Sequence, residues 1–318
     1  MLFRSMVEFS DYDINSDAHG SFSLFVTDNH DMYVQTGRVD KEAGDINRIV
    51  YEENLEFSKV EASQLVGSGK GIRFTTTAPN GIDIASVASY KQVVSENQQQ
   101  TFLELYGYWV GNADKVGETG VTFTAANEAN SAWLSKAISE LEGKVDGSTI
   151  TDSKLSALFN GSEQSFAEWV WDLAKDELRS VVHGFARASG DENKKIYTSS
   201  VILRDELVRV LLHAGYTSRF ELNATKRWEI TYVEDVAQCV NPVLYSDKNV
   251  KVVDDYFGRV WCVTVPTGLI IVQRVVKNAE DVVVKASRPT IVGNCPGHAV
   301  MFKSRERSYR DLDRKSVV

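Results

Sequence analysis

The chain has 318 residues, 43% apolar and 10% aromatic, enough to bury a sizeable core in two or more domains. Its 35 Lys and Arg stand against 44 Asp and Glu, a net charge of −9, which argues against a protein whose main task is gripping nucleic acid, because neutralising phosphates takes an excess of cations. The stretch from Val263 to Val272 is broken by Pro266 and Gly268, far short of the roughly 20 apolar residues that span a bilayer, so no membrane partner is expected; three cysteines, Cys239, Cys262 and Cys295, suit a reducing cytoplasm better than a disulfide framework.

Both ends, residues 1–5 and 313–318, resemble translated adapter DNA of the kind that flanks sequencing reads. They are set aside from fold reasoning, and they imply a reading frame cut at both ends. From Met6 to about Val87, "SFSLFVT", "DMYVQTG" and "GIRFTTTA" place β-branched and aromatic residues between Asp, Asn and Gly punctuation, the texture of strands. Between about Asn97 and Leu222, "QQQTFLELYGYWVG", "NSAWLSKAISELEG", "EQSFAEWVWDLAKDELRSVVHGFARASG" and "LRDELVRVLLHAG" carry apolar residues at helical spacing. From Trp228 to Asn294, "RWEITYV", "NVKVV", "RVWCVTVPTGLIIVQRV" and "DVVVKASRPTIVG" return to strands. The expected fold is α+β, with an α/β module inserted in a β domain split in sequence. The module also repeats itself as helix, strand, helix, with Asn112 and Ser189 at matching positions, the signature of two halves about a pseudo-twofold axis.

The runs "LYGYWVGNA" (Leu105–Ala113) and "VHGFARASG" (Val182–Gly190) resemble the paired LAGLIDADG motifs of homing endonucleases. Gly107 and Gly111, like Gly184 and Ala188, sit four apart on one helical face and allow close backbone approach. In that family the eighth motif position is an acid that holds divalent metal against the scissile phosphates. Here the positions are Asn112 and Ser189, neutral groups that bring no charge to a cation. Asp114 and Asp191 follow two residues later, and at about 100° of rotation per residue they point well away from the motif face. The resemblance therefore implies a folded endonuclease module that has lost catalysis, with Mg²⁺ required only if cleavage survives and double-stranded DNA at a homing site as its partner. A working Mg²⁺-dependent endonuclease is the alternative.

In the first β segment, "FVTDNHDMYVQ" (Phe25–Gln35) holds Thr27 and His30 as a Thr-x-x-His pair between strands. A lone His in a β domain is usually structural. This run, however, resembles the second conserved block of inteins, where the His polarises the N-terminal scissile peptide and protonates its leaving amine. "GRVWCVTVPTGLIIVQRV" and "RPTIVGNC" resemble the two C-terminal intein blocks. The resemblance implies a horseshoe-like all-β Hint domain over 6–96 and 228–294 (its first block missing), with the endonuclease-like insert over 97–227.

The intein resemblance gives Asn294 and Cys295 their roles. The Asn294 side-chain nitrogen attacks its own main-chain carbonyl, forming a succinimide and releasing Cys295. Cys295 is the acceptor nucleophile that takes the upstream chain as a thioester. Cys262 occupies a position where inteins carry Asp or Cys and is a proton-transfer candidate; a small buried hydrophobe is its other reading. Two departures stand out: Gly293 replaces the usual penultimate His, and the first nucleophile has no counterpart, so the chain as given is expected at most to cleave at its C-terminal junction. Splicing needs no cofactor. Residues 295–312, "CPGHAVMFKSRERSYRDL", resemble the catalytic core of threonyl-tRNA synthetase, the implied host and flanking partner of a monomeric element. There Cys295 would become a zinc ligand; one Cys makes no zinc site, so no metal is expected in this chain.

Overall fold

The computed structural model describes residues 4–10, 22–39, 49–50, 56–76, 89–112, 116–117, 120–125, 127–141, 145–146, 149–159, 165–191, 193–234, 240–256, 265 and 268–293. The fold is mixed α+β, in two compact units. One is split in sequence, Met1–Thr77 with Asp235–Val318, and the other is the continuous Ala78–Glu234.

In chain order the split unit begins with β1 (Arg4–Ser10), β2 (Ser23–Thr27), β3 (Asp31–Val39), β4 (Ile49–Val50), β5 (Ser58–Glu61), the one-turn helix α1 (Ala62–Leu65) and β6 (Lys70–Thr75). The continuous unit holds α2 (Gln99–Asn112), β7 (Val116–Gly117), β8 (Gly120–Thr122), α3 (Glu128–Glu140), β9 (Val145–Asp146), β10 (Thr149–Ile150) and α4 (Ser153–Ser156). It goes on with α5 (Lys175–Ser189), β11 (Lys195–Thr198), α6 (Val201–His213), β12 (Thr217–Leu222) and β13 (Trp228–Val233). The split unit then resumes with β14 (Val240–Tyr245), α7 (Ser246–Asn249), β15 (Val250–Tyr256), β16 (Leu269–Val272), β17 (Val275–Lys277), β18 (Val283–Ala286) and β19 (Thr290–Gly293).

In the split unit β1 pairs with both β15 and β2, while β6 pairs with β3 and β14. Alternation along the strands turns Phe9, Leu24, Val26, Met32, Val34, Ile72 and Phe74 into one core with Leu65, Leu244 and Val292. Phe22 stacks on Phe74 at 4.8 Å between ring centroids, and Phe9 meets the same ring edge-on at 5.6 Å. Because β2 and β3 belong to different sheets, the Thr27–His30 segment between them hands the chain from one sheet to the other. The last strand, β19, is buried at all four residues and lies antiparallel on β16 with Gly293 opposite Leu269.

In the continuous unit the two halves share a topology. Each has a long helix, a strand (preceded in the first half by the two-residue β7), a second helix and a hairpin whose second strand lies antiparallel on that strand: β8 with β10 in one half, β11 with β13 in the other. Strand β13, which the sequence reading gives to the last β segment, belongs to this pattern. Its alternation buries Trp228, Ile230 and Tyr232 within the continuous unit, so its texture matched a β domain but its pairing is local.

The long helices α2 and α5 pack through small residues. A Cβ on Gly107 would overlap the Val181 carbonyl, and one on Gly184 the Glu104 carbonyl, while one on Gly111 would stand 3.0 Å from the Ala188 Cβ. The glycines are therefore needed for backbone contact rather than for unusual dihedrals. Helical spacing in the sequence begins well before Lys175, yet Glu168–Asp172 forms a 3-10 turn and Leu173 and Ala174 are extended. Burial of Trp169, whose indole N–H donates to the Leu158 carbonyl at 2.9 Å, fixes the turn. The Glu177 carboxylate then accepts the Ala174 N–H at 2.7 Å and starts α5.

Candidate functional site

Two places carry the residues singled out from sequence, one in each unit. In the split unit Thr27 is buried and His30 half-buried. The His30 N–H donates to the Thr27 carbonyl at 3.0 Å, closing a four-residue turn. The first amides of α1 fasten that turn: Ala62 N–H donates to the His30 carbonyl at 2.9 Å, and Ser63 N–H to the Asp28 carbonyl at 2.8 Å. Amides at a helix start lack intrahelical partners, so here they serve as a clamp on the Thr-x-x-His turn.

The Asp31 carboxylate and the Gly293 backbone near the His30 imidazole both favour its protonated form. Burial nevertheless holds His30 below the ordinary imidazole pKa, outweighing both the Asp31 carboxylate and the Gly293 backbone. At neutral pH the ring is therefore uncharged and still carries one N–H to donate. Gly293 itself lies against Asp31: a Cβ there would stand 2.6 Å from the Asp31 Cβ and 2.7 Å from its carbonyl oxygen. Sequence reasoning named Thr27 and His30 but missed Asp31 and the α1 clamp, whose roles depend on long-range pairing that spacing does not record. Cys262, Asn294 and Cys295 lie outside the described residues.

In the continuous unit the eighth motif positions stand at the ends of α2 and α5. Asn112 Nδ2 donates to the Thr124 carbonyl at 2.7 Å, beside the Tyr108 hydroxyl, which donates to the same oxygen at 2.9 Å. Ser189 Oγ donates to the Tyr197 carbonyl at 3.0 Å. Each motif end is thus tied to the backbone of the strand segment that follows it. Asp191 closes the turn before β11: its carboxylate accepts the Asn193 and Lys195 N–H groups and the Tyr197 hydroxyl. What burial it has pushes its carboxyl up, but these bonds and the Lys195 charge hold it below the usual range. Asp114 lies outside the described residues.

This donor set does not fit a divalent cation, since Asn112 and Ser189 are neutral donors aimed at carbonyl oxygens. Among the described residues no group of three or more His, Cys, Asp or Glu is placed to share a metal ion. Among the same residues no helix is long and apolar enough to cross a membrane.

No known family model matches the chain. It is similar to the DNA-directed RNA polymerase subunit beta C-terminal section of Stigeoclonium helveticum, 22% identical over an alignment that covers 80% of this chain. The chain spans 30% of the length of that curated relative.

Proposed function

We propose that this chain is an intein-type autoprocessing element: a split Hint domain that breaks the Asn294–Cys295 bond, carrying a LAGLIDADG-like insert that no longer cuts DNA. The observation that carries this reading is the close approach of Gly293 to Asp31, where a Cβ on the glycine would stand 2.6 Å from the Asp31 Cβ. It joins the two stretches that resemble separate intein blocks, and it lies one residue from the proposed junction. In the reaction the Asn294 side-chain nitrogen bonds to its own carbonyl carbon and gives up a proton. The carbon–nitrogen bond to Cys295 breaks, and the Cys295 nitrogen leaves as an amine after taking up a proton. Intramolecular attack of this kind depends on orientation more than on strong groups, and a fully buried β19 supplies a fixed approach to it.

Within the same reading, Cys295 accepts the upstream chain as a thioester during splicing, and Cys262 assists proton transfer. Residues 295–312 belong to a threonyl-tRNA synthetase host, and the element works as a monomer in the cytoplasm. The common topology of the two halves and the glycine contacts of α2 with α5 support an endonuclease ancestry for the insert. The hydrogen bonds of Asn112 and Ser189 support lost cleavage. Incubation with supercoiled DNA bearing the uninterrupted synthetase gene and Mg²⁺ tests that point; we expect uncut DNA, and site-specific linearisation would restore the endonuclease as the main activity.

A second reading follows from the polymerase similarity, in which the chain is a segment of a polymerase subunit. A match to 30% of a longer protein is also what one insertion element carried by two different hosts gives. The readings part on chemistry: only the autoprocessing element releases the peptide that begins at Cys295.

A further inference from the structure

In the second half of the continuous unit, the less buried face of the sheet sets cations and acids in adjoining rows. Lys195, Thr231 and Arg219 stand opposite one another across β11, β13 and β12; two residues along, on the same face, stand Tyr197, Glu229 and Glu221. The positions between them, Ile196, Ile230 and Phe220, are buried on the other side. The Lys195 ammonium closes onto the Glu229 carboxylate at 2.5 Å, and the Glu229 side chain is 15% exposed. Arg227 lies over the Tyr197 ring, 5.5 Å from its centroid, and the hydroxyl of that ring donates to Asp191 at 3.0 Å. Lys195, Arg219 and Arg227 are therefore interleaved with Glu229, Glu221 and Asp191. In the first half Thr122 and Thr149 are paired, with their hydroxyls bonded at 2.9 Å, and the strands β7 to β10 contain no Lys or Arg.

We infer that the insert has lost its affinity for duplex DNA along with cleavage, because acids on this sheet face neutralise the cations beside them. The inference rests on the endonuclease ancestry given to the insert above and removes a partner from it. Duplex binding is driven by Lys and Arg side chains that replace the counterions of the phosphates. A phosphate approaching Lys195 meets Glu229 already in place, and the row of Glu229 and Glu221 repels the next phosphate along the strand. Opening the pair gains little: Lys195 exchanges one anion for another, while Glu229 is left largely buried and unpaired, which is costly. Over Ala78–Glu234 as a whole, Asp and Glu outnumber Lys and Arg, so no long-range attraction draws a duplex to the face.

The test is fluorescence anisotropy of the full chain titrated, without Mg²⁺, onto a labelled duplex spanning the uninterrupted synthetase gene and onto an unrelated duplex, at low and physiological salt. We expect the parent to bind both equally and weakly, near the 10⁻⁴ M end of the roughly 10⁻⁴–10⁻⁶ M range of non-specific association at physiological salt. Glu229→Gln combined with Glu221→Gln keeps side-chain shape and removes two charges; we expect it to tighten binding to both duplexes at least tenfold at low salt, with a steeper salt dependence. If the double variant melts well below the parent, the single Glu221→Gln at its exposed position replaces it, with a gain of about threefold expected on the same electrostatic ground. A parent that prefers the gene duplex tenfold or more overturns the inference, as does a folded glutamine variant that binds no better than the parent. Intact mass of the same samples reads release of the Cys295-to-Val318 peptide separately, so a failure of the autoprocessing reading is distinguished from a failure of this one.

Discussion

Asp31 and Gly293 meet so closely that the backbone of one fills the space where a side chain of the other would stand, with a Cβ on Gly293 at 2.6 Å from the Asp31 Cβ and 2.7 Å from its carbonyl oxygen. The glycine is thus a packing requirement at the end of β19 rather than a neutral departure from the intein pattern. Gly293→His, which would restore the usual penultimate residue, is expected to lower stability by about 1–3 kcal/mol, the range for overpacking, and to slow release of the Cys295 peptide. Thermal unfolding with a mass assay checks both; a stable and faster Gly293→His chain would show that Asp31 yields easily.

The α2–α5 contact makes a graded prediction. Gly107→Ala and Gly184→Ala each drive a methyl into a carbonyl of the facing helix, whereas Gly111→Ala meets the Ala188 Cβ and the Phe185 carbonyl at 3.0 Å. We expect the first two to destabilise the continuous unit by about 3 kcal/mol or more and Gly111→Ala by less, overpacking between backbones having few side-chain escapes. Urea unfolding of the three variants gives the order directly. Equal, small effects would mean that the helices separate at little cost.

Putting the motif acids back is expected to fail. In Asn112→Asp and Ser189→Asp a carboxylate would face the Thr124 or Tyr197 carbonyl in place of a donor. The oxygen-to-oxygen contact and the lost bond cost about 1–3 kcal/mol at each site. The double variant should melt lower than the parent and leave supercoiled target DNA uncut with Mg²⁺. Recovery of cleavage would show that the two ends reorganise around a cation.

Much of this architecture is legible in the chain itself. The small-residue spacing of Gly107, Gly111, Gly184 and Ala188 announces a close helix pair, and the helix–strand–helix order announces two like halves. What sequence leaves out are relations without a local period. Trp228–Val233 alternates like any half-buried strand, and only its pairing with β11 and β12 assigns it to the continuous unit. Helical spacing ahead of Lys175 coexists with an extended Leu173 and Ala174, because the buried Trp169 and its bond to Leu158 outweigh propensity there. At the candidate junction, Thr27 and His30 are marked by their motif. The Asp31–Gly293 contact and the α1 clamp arise from tertiary pairing alone.

The pH dependence of stability carries a defined sign. Burial lowers the His30 pKa from 6.5, against the pull of Asp31 and Gly293, and burial with the Arg209 charge lowers that of His213 from the same value. The unfolded chain therefore binds these protons at higher pH than the folded one, so stability is full above pH 6.5 and falls as pH drops through the window below it. Burial pushes Glu177 up, but Lys91, the Tyr90 hydroxyl and the Ala174 N–H more than offset it. The net lowering gives stability present above pH 4.5 and lost at lower pH. Melting temperatures from pH 7.5 to 5.5 should decline, and His30→Gln should flatten part of that decline; an unchanged slope would contradict a buried neutral His30.

The most direct measurement is intact-mass spectrometry of the purified chain incubated at neutral pH with reductant, beside Asn294→Ala. We expect the parent to release the peptide beginning at Cys295 and to leave a fragment ending in a succinimide, while Asn294→Ala keeps its full mass. A parent that holds its full mass after long incubation, or an Asn294→Ala chain that loses the same peptide, would contradict the assignment of this chain as an autoprocessing element.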